Sequence, residues 1–197
     1  MSEQPSIYRR KLLNAVLFFA KNTKHLNTGK ISKLLYFLDF THFKETGYPS
    51  IGLQYYTFER GPVPKDFWLE IKDGNVPQDF KGKLELVKKV DESALSRKEI
   101  EIWAIGRPDL SVFSPREKRI LETLALIYKD ARARDMMEVT HLPNEPWETT
   151  IKKSGKNAPI DYLLGIDEKA KISKDEAKES LKEHFDAVRN FGIAPTK

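Results

Sequence analysis

Residues 33–43 read KLLYFLDFTHF and lie in the clearest helical pattern of the chain. The apolar residues of this pattern recur at the spacing of one helical face. They are Ile31, Leu34, Leu35 and Leu38. Asn27 or Thr28 is a suitable N-cap, and Gly47 suits the position just after the C-terminus. The pattern therefore predicts one long helix with one face in the core.

Further helices are predicted on both sides of this one, with short strands between them. The predicted helices span residues 6–21, 65–72, 114–128 and 173–192, with several short helical pieces between residues 135 and 165. The predicted strands span residues 53–58, 84–87 and 100–103, with a proline-containing turn at 59–64 and a polar loop at 91–99. Ser114 with Glu117, and Ser173 with Glu176, have the spacing of capping boxes. The apolar face predicted for the last helix comprises Ala177, Leu181, Phe185 and Val188.

These elements predict an α+β fold, a mostly helical single domain with a small antiparallel β-sheet or ribbon. The chain has 197 residues, of which 40% are hydrophobic and 32% charged, and this balance is typical of a globular domain with a buried core. The sequence shows no repeat and no long flexible linker. We therefore predict one domain over residues 1–193 and a frayed tail at residues 194–197.

The composition excludes several classes of protein. The chain has no cysteine, which excludes disulfides, thiol nucleophiles and cysteine-bound zinc. The sequence shows no secretory signal, and no apolar run approaches the ~20 residues of a membrane-spanning helix. The predicted location is therefore the cytoplasm, without membrane contact. The net charge of +5 is spread along the chain instead of being focused in one patch, which argues against nucleic-acid binding.

The sequence lacks the common motifs for phosphate binding, metalloprotease chemistry, serine hydrolysis and calcium binding. One pair is suited to chemistry, because Asp39 and His42 share a helical face and the carboxylate is able to orient the imidazole. The simpler interpretation of this pair is a structural hydrogen bond. His141 is suited either to cap the preceding helix as a cation or to join His42 in one site, and Trp147 follows a proline as a core anchor.

Three segments, taken together, resemble the Panacea domain family. The first is KLLYFLDFTHF with Thr46-Gly47, the second is Tyr56 followed by Arg60-Gly61-Pro62-Val63-Pro64, and the third is Val139-Thr140-His141 with Pro146-Trp147. The segments stand in the family's order and span most of the chain. Residues 160–197 lie beyond these motifs, and no helix-turn-helix module is visible.

The resemblance implies a SocA-like antitoxin of a phage-associated family, which neutralises the toxin of a toxin–antitoxin pair by direct protein contact. The family pairs with many unrelated toxins, including enzymes that modify tRNA and toxins that act on membranes. At least one member instead delivers its toxin to a protease. We therefore expect a cognate protein toxin as partner, with no catalysis, no cofactor and no metal. The alternatives are a proteolytic adaptor or a small enzyme built on Asp39, His42 and His141.

The predicted partner-binding site combines the end of the long helix, the strand and turn that follow it, and the late motif. Its residues are Asp39, His42, Tyr55, Tyr56, Phe58, Arg60, Gly61, Pro62, Val63, His141 and Trp147. Aromatic and arginine side chains are the types that dominate interface energies. Gly61 permits backbone conformations that other residues rarely adopt, and Pro62 fixes the direction in which the chain leaves the turn. The turn is therefore rigid and suited to carry a binding surface.

Overall fold

Seven α-helices and two antiparallel two-stranded sheets form the part of the chain that the computed structural model describes, residues 6–91 and 97–190. The helices are α1 (Ile7–Asn22), α2 (Thr28–Thr46), α3 (Lys65–Ile71), α4 (Pro115–Ile127), α5 (Ala133–Thr140), α6 (Pro146–Ser154) and α7 (Lys174–Asn190). The strands are β1 (Tyr55–Phe58), β2 (Gly61–Pro64), β3 (Leu84–Asp91) and β4 (Arg97–Ala104), with β1 paired to β2 and β3 to β4. Short 3-10 turns lie at Gln78–Phe80, Leu110–Val112 and Tyr162–Gly165. The mostly helical α+β fold predicted from the sequence is confirmed.

Helix α2 lies at the centre of the fold and begins and ends where its sequence predicts. The side chain of Asn27 accepts a hydrogen bond from the amide of Lys30 at 2.7 Å, which caps the helix. Gly47 ends it in a left-handed conformation with a φ of 82°. Helix α1 shares the same core, and its residues from 12 to 19 are all buried. Two largely enclosed helices therefore form the interior against which the other elements pack.

The N-terminus of α4 is tied to the core by the capping box that the sequence predicts. Glu117 accepts a hydrogen bond from the backbone N–H of Ser114 at 2.7 Å, and the Ser114 hydroxyl accepts one from the Glu117 amide at 3.3 Å. The same carboxylate contacts the ammonium of Lys11 at 2.6 Å and the hydroxyl of Ser50 at 2.7 Å. One buried side chain thus caps α4 and also joins it to α1 and to the segment after α2.

The structure corrects two of the predicted loops. The proline-containing turn predicted at residues 59–64 is in part a strand, because residues 61–64 pair with β1. The two prolines alternate with Gly61 and Val63, which keep their N–H groups for pairing. The polar loop predicted at 91–99 is shorter, since β3 extends to Asp91 and β4 begins at Arg97; residues 92–96 lie outside the described part.

Helix α7 starts at the predicted capping box, where the side chain of Glu176 accepts from the amide of Ser173 at 2.7 Å. Ala177 is buried as predicted, but Phe185 is 40% exposed, so its placement in the core face is wrong. The neighbouring His184 points towards the rest of the molecule instead. Its ring stacks on that of Tyr48, with centroids 4.9 Å apart. The side chain of Val188, the end of the predicted helix at residue 192 and the tail at 194–197 lie outside the described part. None of the described helices is long and apolar enough to cross a membrane.

Candidate functional site

The three motif segments meet at one point beside α2, where β2 and the end of α5 pack against it. Gly61 of β2 has a φ of +100°, and a Cβ atom at this residue would lie 2.8 Å from Thr140 Oγ1 and 3.0 Å from Lys33 Cε. Both the backbone conformation and this close approach require glycine. The Thr140 hydroxyl donates to the carbonyl of Met137 at 2.9 Å, which fixes it at the end of α5.

Lys33 is the most unusual residue at this point, because its side chain is only 3% exposed. Within residues 6–91 and 97–190 its ammonium has one acceptor, the carbonyl oxygen of Pro62, at the long distance of 3.4 Å. Among the described residues no carboxylate forms an ion pair with it. Burial lowers the pKa of this lysine from 10.5 to about 8, since the charged form is poorly solvated inside the protein.

His141 lies at the C-terminus of α5 and stacks on Trp147, with ring centroids 3.7 Å apart and planes 2° from parallel. The indole N–H of Trp147 donates to the carbonyl of Phe58 at 3.1 Å, so the stack is fixed to the end of β1. Within the described residues, the buried Nε2 of His141 has no hydrogen-bond partner. Burial and the nearby Lys33 lower the pKa of His141. His141 lies at the C-cap position of α5, as predicted, whereas its lowered pKa favours the neutral form of the imidazole over the cation.

Tyr36, one turn after Lys33 on α2, carries a second buried polar atom without a hydrogen-bond partner in the described part of the chain, its hydroxyl oxygen. Its ring packs against Phe40 at 4.3 Å and Tyr55 at 5.4 Å. Burial, followed by the charge of Glu145, raises the pKa of this phenol well above its usual value. We refer to Lys33, Tyr36, Gly61, Thr140 and His141 as the motif cluster.

Asp39 does not orient His42, and the predicted pair is wrong. The fully buried carboxylate accepts backbone hydrogen bonds from Ile51 at 2.6 Å and from the next two residues, and the Tyr55 hydroxyl donates to it at 2.9 Å. The Tyr162 hydroxyl lies 3.1 Å from the same carboxylate. Burial raises the pKa of Asp39, and its hydrogen bonds oppose that shift. Asp39 is therefore a structural anchor that holds the segment after α2, β1 and the 3-10 turn at residues 162–165.

His42 lies in a different environment from His141. Its Nδ1 is 2.9 Å from the carbonyl oxygen of Tyr48, and its ring contacts the Tyr48 ring at 5.2 Å. Burial lowers its pKa. No contact joins the two histidines in the described part of the chain, so they do not converge on one site. Across residues 6–91 and 97–190, no three histidine, aspartate or glutamate side chains are arranged to hold a metal ion.

The exposed part of the predicted site is formed by outward-facing residues of β1 and the turn that follows it. Tyr56 and Phe58 are half-buried, whereas Tyr55 and Thr57, which alternate with them, face the interior. Arg60 is exposed in the turn. Phe58 meets Trp68 of α3 edge to face, with centroids 5.4 Å apart. We refer to Tyr56, Phe58, Arg60, Trp68 and the partly exposed His141 as the motif surface.

The remaining predicted residues lie below this surface. Those buried are Asp39, His42, Tyr55, Gly61, Pro62, Val63 and Trp147. Their side chains have almost no area to offer a partner, so the expectation that they make direct contact is corrected to a supporting role. Lys33, Tyr36, Thr140 and Trp68 are not among the residues predicted from the sequence. The first three stand inside the motifs and were identifiable there, whereas no sequence signal joined Trp68 to Phe58.

The central helix, the glycine-proline strand and the threonine-histidine turn define a class of helical α+β domain in which three motifs enclose one buried lysine. A family model described as antitoxin SocA-like, Panacea domain, matches residues 31–148, which is more than half of the chain. The chain belongs to this family, and the resemblance seen in the sequence is confirmed. The match begins within α2 and ends within α6, so it includes the motif cluster and leaves α1 and α7 outside. No curated protein and no solved structure matches the chain.

Proposed function

We propose that this antitoxin-family protein neutralises a cognate protein toxin by direct, non-catalytic contact through the motif surface. The family assignment supports the antitoxin role. The surface itself carries the choice of site, because it combines an exposed arginine with three half-buried aromatic rings, Tyr56, Phe58 and Trp68. These residue types contribute most to the free energy of protein association when they become buried at an interface.

The structure around β1 favours a preformed surface. Strand β1 pairs with β2 on one side. On the other side, Thr57 exchanges backbone hydrogen bonds with Ala158 at 3.0 Å and Asn157 at 2.8 Å. The Trp147 indole holds the carbonyl of Phe58. A surface fixed in this way loses little conformational entropy on binding, which supports steric occlusion of a toxin by a rigid face.

Co-expression with the product of the neighbouring open reading frame tests this function, with growth rescue and co-purification as the readouts. The purified complex is then compared for the variants Tyr56→Ala and Arg60→Ala. Each variant is expected to weaken toxin affinity by ~10-fold or more, since truncating an interface anchor costs ~2 kcal/mol or more and ~1.4 kcal/mol corresponds to tenfold. Affinity at the wild-type level in both variants would reject this surface while leaving the antitoxin role open.

Two exposed residues outside the motif surface supply matched controls. Trp103 of β4 is 55% exposed, and Arg119 of α4 is also exposed. Their alanine variants likewise remove one aromatic and one arginine side chain, and they are expected to bind toxin as the wild type does. Inhibition of the purified toxin in the absence of any protease would favour occlusion over delivery to a protease, the alternative mode of action.

A further inference from the structure

Lys33 and Lys30 are two buried lysines on α2 with very different surroundings. The Lys30 ammonium donates to the backbone carbonyls of Lys24 at 2.7 Å, Tyr128 at 2.8 Å and Ala131 at 2.6 Å. These acceptors match its three N–H groups, and they join α2 to the segment after α4. Lys33 has one acceptor, the Pro62 carbonyl, at 3.4 Å. A buried ammonium without acceptors or a counter-charge lowers the stability of the folded state.

The side chains around Lys33 do not supply the missing hydrogen-bond acceptors or the missing counter-charge. The Thr140 hydroxyl already donates to Met137. In the described part of the chain, the Tyr36 hydroxyl oxygen and His141 Nε2 have no hydrogen-bond partners. Lys33, Tyr36 and His141, all within the family motifs, therefore have unused hydrogen-bonding capacity. Buried polar groups that are incompletely bonded are unfavourable in a structural core and call for an explanation, and a group supplied by a binding partner is one.

We propose that the ammonium of Lys33 receives a side-chain carboxylate, from an aspartate or glutamate of the bound toxin, between the residue 60–62 turn and His141. This inference rests on the proposed function and specifies the chemistry of the contact. A carboxylate supplies both the missing acceptor oxygens and the missing negative charge. Arg60 is exposed at the same turn, and the neighbouring Glu59 already pairs with Lys156 at 3.7 Å, so the arginine offers a second cation to an incoming carboxylate.

The path for this carboxylate passes His141, which is the partly exposed member of the motif cluster. The three residues that follow His141, at positions 142–144, are exposed, and they form the short connection between α5 and α6. His141 stacks on Trp147 and lies close enough to Lys33 to feel its charge, so the proposal requires this imidazole to move when the carboxylate binds.

The test compares Lys33→Met with Lys30→Met in the full chain, because methionine keeps the length of the side chain and removes its charge. Urea unfolding measures stability, and titration with the purified neighbouring gene product measures affinity. Lys33→Met is expected to unfold at an equal or higher urea concentration and to bind toxin ~30-fold or more weakly, as for loss of one member of a buried charge pair. Lys30→Met is expected to unfold at a lower urea concentration, because three carbonyls lose their donor.

A toxin scan then identifies the carboxylate. Each aspartate and glutamate of the toxin is changed to its amide, and affinity is measured against wild type and Lys33→Met. One toxin substitution is expected to weaken binding to the wild type but to have no further effect on Lys33→Met. Wild-type affinity in Lys33→Met, or a loss of stability equal to that of Lys30→Met, would overturn the inference while direct neutralisation stands. A wild-type chain that forms no complex with the toxin would instead overturn the proposed function itself.

Discussion

Gly61 is a residue at which space sharply constrains the family motif. Its φ of +100° disfavours any side chain, and a Cβ would approach Thr140 Oγ1 to 2.8 Å. We expect Gly61→Ala to lower the free energy of unfolding by ~2–4 kcal/mol, from the left-handed backbone and the overpacking together. Urea unfolding measures this change.

Gly82 provides a matched control for that substitution. Its φ of +73° is also positive, but a Cβ there meets nothing within 4 Å. Gly82→Ala is therefore expected to lower stability by only the backbone contribution, ~1–2 kcal/mol. Equal losses in the two variants would show that the close approach of Lys33 and Thr140 to Gly61 does not constrain the site.

Single residues also show why part of the site was not predictable from sequence. Asp39 and His42 stand three residues apart on one helix, which makes a pair reasonable on local grounds. The structure directs Asp39 to the amides of residues 51–53 and to two tyrosine hydroxyls. Those partners come from distant parts of the chain, and sequence spacing gives no information about them.

The helices were predictable because their signals are local. Asn27, Gly47 and the two capping boxes each satisfy backbone groups within a few residues, and the structure confirms them. The sequence predicts a turn at strand β2 because its prolines are typical of turns. The pairing of β2 with β1 depends on tertiary contact, which the local sequence does not show. The alternation of β1 decides which aromatic residues face outward, and sequence alone does not show which face is the core.

Helix α7 lies outside the range of the family match and contacts the rest of the molecule through His184. The Tyr8 hydroxyl is 2.7 Å from His184 Nε2, and the His184 ring stacks on Tyr48. Burial, and then the charges of Lys11 and His42, lower the pKa of His184. His184 therefore binds a proton more readily when α7 is undocked or unfolded than when it is docked. Docking of α7 is most favourable above the usual histidine pKa, and it weakens as the pH falls below that value.

We expect the amides of α7 to exchange hydrogen faster at pH 5.5 than at pH 7.5, relative to those of α2, after correction for the intrinsic pH dependence of exchange. The physical reason is the loss of the neutral His184 contact at the lower pH. His184→Phe is the control, because phenylalanine keeps a ring against Tyr48 and gains no proton. If that variant shows the same acid-induced exchange in α7, a group other than His184 controls the docking.

At the scale of the whole molecule, burial of charge in the motif cluster links stability to pH. The pKa of Lys33 falls from 10.5 in an unfolded chain to about 8 in the folded protein. Between these values the unfolded state binds more protons, so stability rises with pH. The expected gain from Lys33 between pH 8 and pH 9.5 is about 1.5 kcal/mol.

The difference between wild type and Lys33→Met isolates this contribution. Lys30, whose pKa is also lowered to about 8, makes the same contribution to the pH dependence of stability in both proteins. So do the buried tyrosines Tyr55 and Tyr162, whose raised pKa values reduce stability as pH passes the usual tyrosine range. Urea unfolding at pH 8, 8.75 and 9.5 is expected to show wild type gaining stability relative to the variant. Parallel curves would mean that the Lys33 ammonium is well solvated in the folded protein, and the reason for assigning it a toxin carboxylate would disappear.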